Sequence, residues 1–150
     1  VDFAVHSMKD VPAVLPQGLT LAAIPPRADA RDVVIGTHGA GLAGLRRGAR
    51  VGTSSVRRRV QLLACRSDLD VVVLRGNVET RLARVRDGAL DAVILAAAGL
   101  ARLGLADVDA VALAPEQFLP AVGQGALALE YRADDAAVLS RLGYDSGRPA

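Results

Sequence analysis

Two short, wholly apolar runs, Val71–Leu74 and Ala92–Ala96, read as buried strands. A strand without alternation has no face to give to water, so both of its faces must be covered. Around these runs lie segments of helical period. Val56, Val60 and Leu63 share one face of a helix ending near Cys65, and Val78, Leu82 and Val85 share one face of the next. Ser54 or Ser55 caps the first, Asn77 caps the second, and Gly88 ends it. Buried strands alternating with amphipathic helices specify an α/β fold with mostly parallel strands. Further strands are expected at Val1–His6, Leu19–Ile24, Asp32–Gly36, Arg50–Gly52, Val108–Leu113 and Ala126–Tyr131. A short helix is expected at Ala98–Leu103 and a last one from Asp134 to about Gly143, before a polar tail, Tyr144–Ala150. Pro25–Pro26 and the region Pro115–Pro120 are candidate hinges between two lobes.

Composition narrows the function. At 51% hydrophobic residues the 150-residue chain is not disordered, yet no apolar run approaches the ~18–20 residues of a membrane span. Asp2, His6, Lys9 and Asp10 interrupt any signal peptide, so the expected location is the cytoplasm. Cys65 is the single cysteine, which excludes an internal disulfide framework and a cysteine-cluster metal site; no metal is expected. A net charge of +2 and 3% aromatic residues argue against nucleic acid as a partner. Among 18 basic residues only Lys9 is a lysine. Arginine suits two-pronged recognition of carboxylate or phosphate. A genome-wide preference for arginine and alanine accounts for the same excess.

Four clusters can carry chemistry. Thr53-Ser54-Ser55-Val56-Arg57-Arg58-Arg59 follows a strand and opens a helix, where unpaired N–H groups and the helix dipole favour an anion. Three arginines there repel one another unless an anion joins them, although a solvated arginine-rich turn is the plainer alternative. Leu74-Arg75-Gly76-Asn77-Val78-Glu79-Thr80-Arg81 repeats the plan of strand, glycine turn and helix start. Arg57, Arg58, Arg75 and Arg81 at neighbouring strand ends would form one polyanion site, because open α/β sheets bind ligands there. Arg84 and Arg86 belong on the solvated face. His6-Ser7-Met8-Lys9-Asp10-Val11-Pro12 sets a carboxylate beside a cation just past a strand, which keeps the acid ionised and able to steady positive charge. A surface turn would look the same. His6 reads as a satisfied strand-end residue, His38 carries no role, and Cys65 reads as partly buried and inert. Leu119-Pro120-Ala121-Val122-Gly123-Gln124-Gly125-Ala126 would bring backbone close to a ligand and present the Gln124 amide, though an ordinary turn before the strand Ala126–Tyr131 has the same spacing.

These stretches, with a fifth around Arg102, resemble the porphobilinogen deaminase (hydroxymethylbilane synthase) family from about Val1 to Leu142. The matching text is AVHSMKDVP, GTSSVRRR, LRGNVETRL, ILAAAGLARLGL and LPAVGQGALALEYR, in that order. The resemblance implies a transferase of tetrapyrrole and heme biosynthesis. It joins four porphobilinogen molecules into hydroxymethylbilane, with release of ammonia, on a covalent dipyrromethane cofactor. It implies that Asp10 is the catalytic carboxylate. Ser7, Lys9, Thr53, Ser55, Arg57, Arg58 and Arg81 would hold the cofactor. Arg75, Gly76, Arg102 and Gln124 would meet the substrate. The fold implied is α/β, two-lobed and like a type II periplasmic binding protein, with the site between lobes. Residues 1–30 and 120–143 would form part of domain 1, residues 31–119 a nearly complete domain 2, and 144–150 a tail. Family members begin upstream of Val1 and continue into a third domain bearing the cofactor cysteine. On that expectation the chain is a fragment, mostly monomeric in its family, inactive alone and in need of the missing segments. A non-enzymatic two-lobed binder of a small carboxylate is the competing reading; it has no use for Asp10.

Overall fold

The computed structural model describes residues 1–105 and 108–141; the expected end of the last helix near Gly143 and the tail Tyr144–Ala150 lie outside the described residues. The chain forms two compact units, one from Val1–Ala28 with Val122–Ala150 and one from Asp29–Ala121.

The second unit is built on strands β3 (Asp32–Ile35), β4 (Arg50–Gly52), β5 (Asp70–Val72), β6 (Ala92–Ala96) and β7 (Ala110–Ala112), in the order β5-β4-β6-β3-β7. β4 pairs in parallel with β5 and β6, and β3 pairs antiparallel with β6 and β7. Four strands therefore run one way and β3 alone runs against them. Helices α1 (Val56–Cys65), α2 (Val78–Arg86) and α3 (Ala97–Arg102) follow β4, β5 and β6. The alternation of side chains along β3 and β6 divides the core between two faces. Val34, Ala92 and Ile94 join Leu62 of α1 on one face. Val33, Ile35, Val93 and Leu95 join Leu82 of α2 and Leu100 of α3 on the other. The double covering inferred from Ala92–Ala96 is thus present, and β3 shares it.

Two expectations need correction. The run Val71–Leu74 is strand only in part: β5 ends at Val72 on the sheet edge and Val73 is 72% exposed, although Val71 joins one core cluster and Val72 and Leu74 the other, so both faces of β5 are covered. The apolar face assigned to α1 is also wrong, because Val56 and Val60 face solvent while Arg58 and Leu62 are buried. The buried arginine has a carboxylate partner in the sheet, so the inward stripe is half polar. Along α2 the expected face is observed: Leu82 is buried with Val78 and Val85 packed beside it.

The first unit holds β1 (Phe3–Ser7), β2 (Leu19–Ala23) and β8 (Leu127–Arg132), ordered β1-β8-β2 and antiparallel throughout, with α4 (Ala136–Arg141) after β8. The expectation of mostly parallel strands therefore does not extend to this unit. Among the described residues no helix is long and apolar enough to cross a membrane.

Candidate functional site

Because β4, β5 and β6 are parallel, their carboxyl ends share one edge of the sheet. The residues that leave that edge are the arginine-bearing ones. After β4, Thr53 is buried and its hydroxyl accepts the Ser55 N–H at 3.2 Å. Ser55 is the N-cap of α1, its hydroxyl accepting the Arg58 N–H at 3.4 Å. Both hydroxyls keep their own proton to donate. After β5, Asn77 caps α2 by accepting the Thr80 N–H at 2.8 Å. Gly76 precedes it at φ +117°, where a Cβ would stand 3.0 Å from Thr80 Cγ2, so no other residue fits this turn without strain.

The reversed direction of β3 puts its first residue, Asp32, opposite Ala96 at the carboxyl end of β6, on the same edge. Asp32 is fully buried. Its Oδ1 accepts from Arg58 Nε at 3.1 Å and Nη2 at 2.7 Å. Its Oδ2 accepts from Arg57 Nη2 at 2.7 Å. Arg58 Nη1 donates to the Ile94 carbonyl at 3.1 Å, and Arg57 Nη1 to the Leu119 carbonyl. Charge at the start of α1 is therefore met first from inside the protein. Arg81 donates through Nε to the Gly76 carbonyl at 2.8 Å rather than pairing along its helix with Glu79 or Asp87. Burial, and then the charge of Arg58, lower the Arg81 pKa, so these two cations lie within each other's field. Two guanidinium groups thus share one carboxylate, and a third, that of Arg81, lies within the field of Arg58. Arg75 and Gly76 are exposed beside them, and Arg102 is exposed in the last turn of α3.

In the first unit Ser7 ends β1, and Lys9 and Asp10 are exposed in the 3-10 turn Met8–Asp10. The turn is pinned by Met8 N–H donating to the Ala126 carbonyl at 3.0 Å. Gly123, at φ +71°, packs against it so closely that a Cβ would come 2.7 Å from Met8 Cγ and 3.2 Å from Lys9 N. Gln124 does not present its amide at the surface; the residue is 1% exposed, enclosed by the turn that was expected to display it. Its carbonyl accepts from Arg27 Nε at 2.8 Å. His6 is satisfied as expected, bonded to Glu130 at 3.0 Å. Cys65 is exposed, not partly buried, with its Sγ 3.8 Å from the Gln117 carbonyl.

Two contributors escaped the sequence reading. Asp32 looked like the start of an apolar strand; a lone carboxylate opening such a run was the available signal. Arg27 had none beyond its place after the proline pair.

The residues of the second unit suit a polycarboxylate, with planar donors in excess of acceptors at a strand edge. A family model described as porphobilinogen deaminase, dipyromethane cofactor binding domain, matches residues 1–140. Curated relatives with the name porphobilinogen deaminase include one from Nitratidesulfovibrio vulgaris strain Hildenborough, 55% identical over 99% of this chain and 47% of its own length. Another, from Macrococcus caseolyticus, is 56% identical over 95% of this chain and 47% of its length. The chain spans about half the length of these relatives. Solved structures with the same fold include a periplasmic binding protein of Salmonella typhimurium with high arginine specificity. It has a TM-score of 0.52 and 18% identity, over 94% of this chain and 62% of that one. A probable amino-acid transporter binding protein of Bacillus subtilis has a TM-score of 0.56 and 10% identity, over 94% and 63%. Likenesses at such identity carry the fold, which is α/β and of the type II periplasmic-binding-protein kind. On the match across residues 1–140 and the identity of its relatives, this chain belongs to the porphobilinogen deaminase family.

Proposed function

We propose that the protein from which this chain comes is a porphobilinogen deaminase acting in the cytoplasm, and that this chain carries its cofactor- and substrate-binding residues. The observation that supports this most is the edge where Arg57 and Arg58 share one buried carboxylate, Asp32, with Arg81 near enough to Arg58 to feel its charge. Such an edge is short of negative charge, and a chain of pyrroles bearing acetate and propionate arms supplies it.

A bound dipyrromethane supplies the anchor from which the pyrrole chain grows. Arg57, Arg58 and Arg81 of the second unit would hold its carboxylates by charge and by charge-assisted hydrogen bonds, and Lys9 of the first unit would supply a further cation. In the second unit Thr53 and Ser55 would donate their hydroxyl protons to cofactor carboxylates, and in the first unit Ser7 would do the same. Arg75 and Arg102, exposed, take the acetate and propionate of porphobilinogen, and the Gly76 turn lets backbone approach them. Gln124 serves from within, by shaping the turn that supports Lys9 and Asp10. Asp10 accepts the pyrrole N–H and steadies the positive charge that forms on the substrate as its C–N bond to ammonia breaks. Each condensation forms one carbon–carbon bond, releases one ammonia and returns one proton. Residues 1–30 and 120–143 make up part of the family's domain 1, and residues 31–119 its domain 2.

The test is the full-length gene product, purified and incubated with porphobilinogen. Hydroxymethylbilane and four equivalents of ammonia are expected, and Asp10→Asn should lower turnover by about a hundredfold or more while porphobilinogen still binds. A full-length protein that binds porphobilinogen and never releases ammonia would be a carboxylate binder, and the proposal would fail.

A further inference from the structure

We propose that Asp32 is a positioning residue: its buried carboxylate fixes the guanidinium groups of Arg57 and Arg58 in the pose that receives a ligand's carboxylates. The inference rests on reading the arginine edge as a carboxylate site, and goes beyond it by assigning a residue that meets no ligand.

Arg58 is held on both sides, by Nε and Nη2 on Asp32 at 3.1 and 2.7 Å and by Nη1 on the Ile94 carbonyl at 3.1 Å. Arg57 is held by Nη2 on Asp32 at 2.7 Å and by Nη1 on the Leu119 carbonyl. A free arginine stem loses its rotamer freedom when a ligand binds; these two have lost it beforehand. Asp32 is not a stand-in that a ligand displaces. It is fully buried at the end of β3, and its carboxylate cannot swing into water without opening the sheet. Nor does it neutralise the edge, since one carboxylate meets two guanidinium groups. A side chain of the Arg57 kind, 26% exposed and tethered at one end, keeps a surface for the incoming anion.

The experiment uses the chain and two probes, porphobilinogen and the plain dicarboxylate glutarate, with affinity read by calorimetry. Arginine Nε–Hε resonances read in parallel whether the guanidinium groups are held. Asp32→Asn keeps the side-chain size and removes the charge; Asp32→Glu keeps the charge and adds a methylene. Positioning predicts that Asn weakens both probes about tenfold and merges the Arg57 and Arg58 resonances with those of mobile arginines, and that Glu restores both readouts. A packing role predicts the reverse order. Undiminished affinity in a folded Asp32→Asn overturns the proposal, as does loss of both readouts in Asp32→Glu, which also decides the matter if the Asn variant does not fold. Wild-type binding of glutarate without porphobilinogen defeats the pyrrole reading alone, and Asp32 is then judged on glutarate. Binding of neither probe defeats both.

Discussion

At the scale of single residues, the chemistry of this chain depends on side chains that are held as much as on those that are offered. Gly123 shows this most plainly. It sits at φ +71° with its missing Cβ against Met8 and Lys9, so the turn bearing Asp10 lies directly on it. Gly123→Ala adds left-handed strain of about 1–2 kcal/mol and displaces that turn. The expected result is a modest drop in unfolding midpoint with a larger fall in the turnover proposed for the full-length protein; unchanged turnover would show that the turn tolerates movement. The arginine motifs were legible from sequence because residue type and helix position coincide there. Asp32 was not, because its partners are 25 and 26 residues away and only the reversed β3 brings them together.

At the scale of elements, the caps carry most of what sequence could say. Ser54 or Ser55, and Asn77, read as N-caps from their place before apolar-periodic segments; Ser55 and Asn77 are the ones that accept the main-chain N–H three residues on. Asn77 also takes the Thr80 hydroxyl at 2.8 Å, so one side chain organises the whole Gly76–Thr80 turn. Asn77→Ala should lower unfolding free energy by about 1 kcal/mol, measured by urea denaturation. The same substitution should weaken substrate binding, because Arg75 and Arg81 flank that turn. The α1 face was misread for a physical reason. Periodicity counts arginine as a solvent residue, and Arg58 is buried because a carboxylate on another element receives it. Strand direction was half legible. Helices after β4, β5 and β6 announce parallel neighbours, whereas nothing local marks β3 as the strand that runs the other way.

At the scale of the whole molecule, the two units differ in what sustains them. The unit Asp29–Ala121 is one continuous stretch of chain and contains both large apolar clusters. Residues 29–121 expressed alone should therefore melt in one cooperative transition, followed by circular dichroism; a broad, gradual loss of signal would contradict this. The unit that surrounds it in sequence has a three-stranded sheet and few buried side chains, with Phe3 44% and Val5 56% exposed. Its strands were found at nearly the expected residues, yet their pairing joins segments more than a hundred residues apart, such as His6 opposite Ala128. Pairing at that distance leaves no local pattern to read.

Where the chain departs at Ala28 and where it comes back, a single main-chain bond closes the gap, Ala28 N–H to the Gly125 carbonyl at 3.0 Å. Seen from the β1-β8-β2 sheet, the entire intervening module is topologically a long hairpin loop. The entropy of closing such a loop grows only with the logarithm of its length, by roughly 0.6 kcal/mol per doubling. The host sheet is thus nearly indifferent to how much guest sequence is spliced in at that clasp, which makes it the natural seam for domain grafting and for growth of the fold by insertion.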